Sequence, residues 1–132
     1  MAEIPTEAKP LLQGKTFAHV ATLMADGSPQ VSPVWIDEED GLVLFNTAEG
    51  RLKPQNLRRD PRVAISIVNP DNPYESLLVR GRAVELTHEG ADEHIDALAQ
   101  RYMGVDEYPL RQPGEERVLV KIEPEQVQHF KP

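Results

Sequence analysis

The side chains with the most chemical potential lie close together. From Arg51 to Arg62 the sequence RLKPQNLRRDPR carries five cations (Arg51, Lys53, Arg58, Arg59 and Arg62) and one acid, Asp60. This local charge of +4 sits in a chain of 132 residues whose net charge is -8. Asn46, Thr47 and a turn at Ala48-Glu49-Gly50 come just before it. Two readings fit. In one, the cations form a solvated helix face, offset by Asp60 and by the carbonyls at the helix C-terminus. In the other, Gly50 permits a tight turn and the free N–H groups of the following helix face an anion. Arg51 and Lys53 then flank that anion, Thr47 adds a hydroxyl and Asn56 an amide. A phosphate suits such a set best. The constellation as a whole favours the second reading.

Other chemistries find less support. The four histidines (His19, His88, His94 and His129) have no zinc-like spacing, and no metal is expected. The chain has no cysteine, hence no disulfide frame and no thiolate nucleophile. There is no G-x-S-x-G elbow to activate Ser32, Ser66 or Ser76. Glu38-Glu39-Asp40 and Glu115-Glu116 read as solvated turns rather than an acid–base pair. Neither a G-x-G-x-x-G fingerprint nor a Walker loop is present.

The acidic balance argues against nucleic acid or an anionic membrane as partner, although a local basic cleft still takes a small anion. No apolar run has the length of a membrane span, and the N-terminus lacks the pattern of a secretion signal, so a cytoplasmic location is expected. The length suits one domain over residues 1–132.

The elements that must position these residues are short, as twelve prolines require. A helical lead-in is expected from Thr6 to Gln13, with Pro10 awkward inside it and Leu11 and Leu12 capping the core. Thr16–Ala25 alternates as a strand. Asp26-Gly27 is a hairpin signal, and the return strand spans Ser28–Asp37. Pro29 and Pro33 cannot donate to a ladder, so this strand belongs at an edge. Asp37–Gly41 reads as an acidic, solvent-exposed turn. Strands follow at Leu42–Thr47, Arg62–Asn69 and Tyr74–Thr87, and a loop at Asn69–Tyr74. Gly81 marks a bulge or barrel corner, with Arg80 and Arg82 beside it. Glu89–Met103 is an amphipathic helix closed by Gly104. A loop at Val105–Glu116 leads to a last strand, Arg117–Glu123, extended by Gln126–Phe130 past Pro124. Six strands and a few short helices suit a mainly β, antiparallel barrel of Greek-key type.

Two stretches also carry a resemblance. FAHVATLMADGSPQVSPVW and FNTAEGRLKPQNLRRDPRVAISI resemble the pyridoxamine 5'-phosphate oxidase-like superfamily of split β-barrel flavoproteins. More narrowly, they resemble its actinobacterial branch that binds the deazaflavin coenzyme F420, and the likeness runs from about Leu12 to His129. It implies a six-stranded split barrel that binds F420, with FMN as the alternative. Gln30, Ser32, Pro33, Val34 and Trp35 would lie against the coenzyme ring. Asn46, Thr47, Gly50, Arg51, Lys53 and Asn56 would hold the coenzyme near its phosphate. Tyr102, Tyr108 and Arg111 match a segment that reaches toward the site. The implied activity is hydride transfer from reduced F420 to an electrophilic small molecule such as an enone, a quinone or a tetrapyrrole. The resemblance names no catalytic side chain. It further implies a homodimer with the cofactor groove between subunits, where Tyr74, the arginines near Gly81 or Arg117 approach the partner's cofactor. An FMN-dependent enzyme of the same fold and a carrier without turnover are the other readings.

Overall fold

The computed structural model describes residues 1–132. The lead-in divides at its proline: a 3-10 turn at Thr6–Ala8 is followed by a short helix, α1 (Pro10–Gln13). Pro10 thereby occupies a first helical turn, where no N–H is missed. Leu11 and Leu12 are buried against the core as expected.

Strand β1 (Phe17–Leu23) turns through Asp26-Gly27 into β2 (Pro29–Trp35). The Asp26 carboxylate accepts the Ser28 N–H at 2.9 Å, which pins the turn. Ala18, Val20 and Thr22 of β1 point into the barrel, and their partners Val34, Ser32 and Gln30 of β2 share that face. β2 pairs only with β1, so its two prolines lie on an edge, as their chemistry demands.

The acidic turn is replaced by a seventh strand, β3 (Asp37–Glu39), paired with β4 (Leu42–Ala48) across a turn at Asp40-Gly41. Three residues are too few to show alternation, so pattern alone reads them as a turn. Helix α2 (Leu52–Arg59) leads into β5 (Arg62–Asn69). The expected Asn69–Tyr74 loop shrinks to a two-residue turn, because β6 (Asn72–Thr87) already pairs with β5 at Asn69↔Asn72. Helix α3 (Ala91–Met103) ends on Gly104, whose N–H reaches Gln100 O at 3.1 Å. The last strand, β7 (Arg117–Phe130), runs unbroken through Pro124.

The seven strands form one antiparallel sheet in the order β2-β1-β5-β6-β7-β4-β3, curled into a split barrel. Its core holds Val20, Phe45, Ile65, Ile67, Val79, Val118 and Ile122. β5 is buried on its inner face and flanked on both sides, as its apolar sequence requires. α3 lies outside the barrel, where Ala91 packs on Leu44 and Leu119. No helix is long and apolar enough to cross a membrane.

β6 and β7 bend together at Gly81. The register shifts between Arg80 and Gly81, and a Cβ on Gly81 would stand 2.1 Å from the carbonyl oxygen of Glu123. Only a bare α-carbon lets the two backbones approach this closely. Gly81→Ala should therefore cost at least about 2 kcal/mol through forced separation of the strands. Urea denaturation checks this, and a midpoint equal to that of the parent would show that the bend tolerates a side chain.

Candidate functional site

A groove of about 230 Å³ opens where the ends of β1, β2, β4 and β7 meet α3. Pro33, Val34, Trp35, Asn46 and Arg51 line it, five of the residues expected from the sequence. Aromatic packing builds one wall. Trp35 stacks on Tyr102 at 4.9 Å with planes 5° apart, and Tyr108 meets Trp35 edge-on at 6.0 Å. Tyr102 is fixed at its far end, where its hydroxyl donates to Thr16 O at 2.5 Å and accepts the Ile36 N–H at 3.1 Å. The stack is therefore a rigid, flat surface. A larger hollow of about 660 Å³ lies on the outward face of β1, β5, β6 and β7. It holds Arg80 but none of the residues expected to lie against the ring or hold the phosphate.

The basic run divides between its two readings. Arg58 bonds both oxygens of Glu49, at 2.6 and 2.8 Å, and Arg62 bonds Asp60 at 2.7 Å. Arg59 donates to Leu23 O and to the Asn56 side chain, each at 3.1 Å. These three are helix-surface cations with local partners. With Arg58 the larger influence and His88 the next, Glu49 is held at about 2. Glu49 thereby pins the turn that ends in Gly50, whose φ of 88° is the left-handed conformation that glycine adopts freely.

Lys53 differs. It is half-buried, and its ammonium donates to the Ser32 hydroxyl of the facing strand. Burial and then the neighbouring Arg51 charge lower its pKa, and no carboxylate opposes them. The first turn of α2 has no side-chain cap. A desolvated cation beside a second cation and an uncapped helix end offers the charge and the donors that an anion would use. On the same inner sheet face, Gln30 Oε1 is buried without a hydrogen-bond partner.

The other expected residues take supporting places. Thr47 is buried at the end of β4. Asn56 is 1% exposed, and its amide donates to Thr22 Oγ1 at 3.0 Å while accepting from Arg59. The Asn56 amide braces α2 on β1 and does not open on the groove. Asn46 faces α3 instead of α2: its amide donates to Ala91 O at 2.8 Å and lies 3.2 Å from His94 Nδ1. Arg80 bonds Gln126, and Arg82 lies 3.9 Å from Glu125, on the far side of the sheet.

A polar network behind the groove was invisible in the sequence. Asp37 accepts from Arg101 at 2.7 Å and lies 3.1 Å from His94 Nε2. His94 meets Asn46, and Asn46 Oδ1 accepts from Arg117 Nε at 2.9 Å. Arg117 lies 5.1 Å from the centre of the Tyr108 ring and bonds Glu115 at 2.9 Å. Glu115 is only 6% exposed at its side chain, so half of the expected solvated pair Glu115-Glu116 is internal. The one sequence cue was the Glu-x-Arg spacing that opens the last strand. Burial raises the Asp37 carboxyl, but its bonds with His94, Arg101 and the Glu38 amide outweigh that and hold it at about 2.

The model of the family described as pyridoxamine 5'-phosphate oxidase matches residues 4–131. The chain belongs to this family. Among solved structures, an F420 reductase is 29% identical with a TM-score of 0.82, over 95% of this chain and 98% of that one. Rv2991, a conserved hypothetical protein from Mycobacterium tuberculosis, is 25% identical with a TM-score of 0.72, over 98% and 86%. HupZ of Group A Streptococcus shares the fold, at 24% identity and a TM-score of 0.69 over 96% and 93%. Membership of the pyridoxamine 5'-phosphate oxidase family makes this a flavin- or deazaflavin-binding oxidoreductase fold.

Because the Asp37 carboxyl is held low in the folded chain, its contribution is present above its unfolded value of 3.8 and is lost as pH falls through about 2. Asp37→Asn should cost roughly 1–2 kcal/mol at neutral pH, allowing for partial solvent screening. The gap between variant and parent should close as pH drops through that window. Equal gaps at pH 7 and pH 2, measured by chemical denaturation, would show that the charge of Asp37 is not what stabilises.

Proposed function

We propose that this protein binds coenzyme F420 in the groove beside α2 and reduces an electrophilic small molecule there. The observation that carries the reading is Lys53, a half-buried ammonium with a hydroxyl on one side, a cation on the other and no acid. The likeness to an F420 reductase over nearly the whole of both chains supports the choice of coenzyme.

The residues fit such a guest. Lys53, Arg51 and the free first turn of α2 supply charge and donors for a phosphate. Gly50 holds the turn in a left-handed conformation and faces open space, with no atom within 4 Å of where a Cβ would stand. Ser32, bonded to Lys53, ties the phosphate end to the strand that carries Pro33, Val34 and Trp35. Those three form the floor against which a flat ring can rest, and Ile95 and Leu98 keep water from its far side. When bound, reduced F420 supplies a hydride from its ring carbon C5 to the acceptor. The chain's task is to orient and desolvate that ring.

We further propose that the chain pairs as a homodimer, as the resemblance implies. The outward hollow exposes Val31, Ala21, Ala64 and Leu78 on one sheet face, the kind of apolar patch that a homodimer covers. Sedimentation should accordingly give twice the chain's mass of 14.8 kDa.

Lys53→Ala should weaken F420 binding by ~1.5–3 kcal/mol, the scale of a charge-assisted hydrogen bond. Fluorescence titration reads this directly, with FMN as the competing ligand. Parent-like affinity in the variant would remove the phosphate assignment, and binding of FMN without F420 would replace the coenzyme. Consumption of reduced F420 on addition of a quinone, an enone or a linear tetrapyrrole separates an enzyme from a carrier.

A further inference from the structure

We propose that Glu115 sets how much negative charge the groove accepts, disfavouring a doubly charged phosphomonoester relative to a singly charged phosphodiester. This rests on the reading that the groove holds a phosphorylated coenzyme.

Arg51 and Arg117 line the groove, Lys53 lies beside Arg51, and one acid, Glu115, bonds the two arginines but not Lys53. Glu115 Oε1 accepts from Arg117 Nη1 at 2.9 Å and from Arg51 Nη2 at 3.4 Å. The two contacts differ in kind. Arg117 and Glu115 are closed off, with side chains 2% and 6% exposed. Arg117 is further fixed by Asn46 and by the face of Tyr108, and Glu115 Oε2 also accepts the Gln112 N–H at 3.3 Å. Arg51 is 54% exposed and its contact is long. Arg51 is therefore free to turn toward a ligand, whereas Glu115 must stay with Arg117.

A fixed carboxylate beside the mobile cation has a calculable effect. Any anion that draws on Arg51 must share it with Glu115 and feels the Glu115 charge. That repulsion grows with the charge on the ligand. A phosphodiester carries one charge; a phosphomonoester carries nearly two above its second pKa of about 6. Glu115 thus penalises the monoester about twice as heavily. At the phosphate itself, a diester in F420 and a monoester in FMN, the carboxylate therefore weighs more heavily on FMN. Glu115 acts here as a specificity-determining residue, with no role in the transfer step.

The test holds the ring constant. The deazaflavin ring on its ribityl chain is prepared without phosphate, as the 5'-phosphate, and as the methyl ester of that phosphate. Affinities are measured by fluorescence at pH 8 for the parent and for Glu115→Gln, which keeps the oxygen that Arg117 needs. Glu115→Gln should tighten the diester by roughly threefold and the monoester by about tenfold, the scale for charges some 8–10 Å apart across a half-wet groove. The unphosphorylated compound should not change. At pH 5 the monoester loses its second charge, and the two esters should then respond alike. Equal responses at pH 8, or no response, overturn the proposal for Glu115 while leaving the phosphate site standing. If the parent binds the phosphorylated compounds no tighter than the bare one, the phosphate site itself fails and this proposal fails with it.

Discussion

Lys53 is held between a hydroxyl and a second cation, in a place where water reaches it only in part. Charge in that condition is costly, and the usual remedy is a neighbouring carboxylate. The chain has acids to spare and uses them on Arg58, Arg62, Arg101 and Arg111. Lys53 is left without one. Much of the surrounding construction serves that arrangement. Gly50 and the Glu49 clamp fix the turn before it, Asn56 locks the helix beneath it, and Ser32 carries its position across to the opposite strand.

The flat aromatic wall is secured from the other side by a separate set of contacts. Tyr102 bridges two backbone segments, Thr16 and Ile36, so the ring under Trp35 cannot swing without breaking both. Asp37, His94, Asn46 and Arg117 link the short third strand, α3, β4 and β7 in one chain of polar contacts. Polar networks of this kind are stiff when every member is satisfied. A groove whose cationic end and planar floor are fixed independently suits a ligand with a charged tail and a rigid ring.

Much of this was legible in the residues. Alternation placed β1, β2 and β5, the Asp-Gly turn placed the first hairpin, Gly104 ended α3, and the prolines of β2 marked an edge. The division of the basic run was not legible. Which of five cations finds a carboxylate depends on how residues far apart in sequence fold together, as with Arg51 and Glu115, or Lys53 and Ser32. Asn56 carries the right chemistry for a ligand, yet burial at the α2–β1 contact directs it inward. Asp37 and Glu115 looked like solvated acids because local pattern contains no information about an arginine that arrives from another strand or helix.

The prolines of β2 bear on what else could enter. Pro29 and Pro33 lie on a strand that pairs with β1 alone and borders the groove, and neither has an N–H to offer. An extended polypeptide adding itself to that rim would find a broken ladder at two positions. Inhibitors built as β-strand mimics should accordingly make poor ligands for this face. Compact planar acids, which need no regular row of donors, are the better starting chemotype.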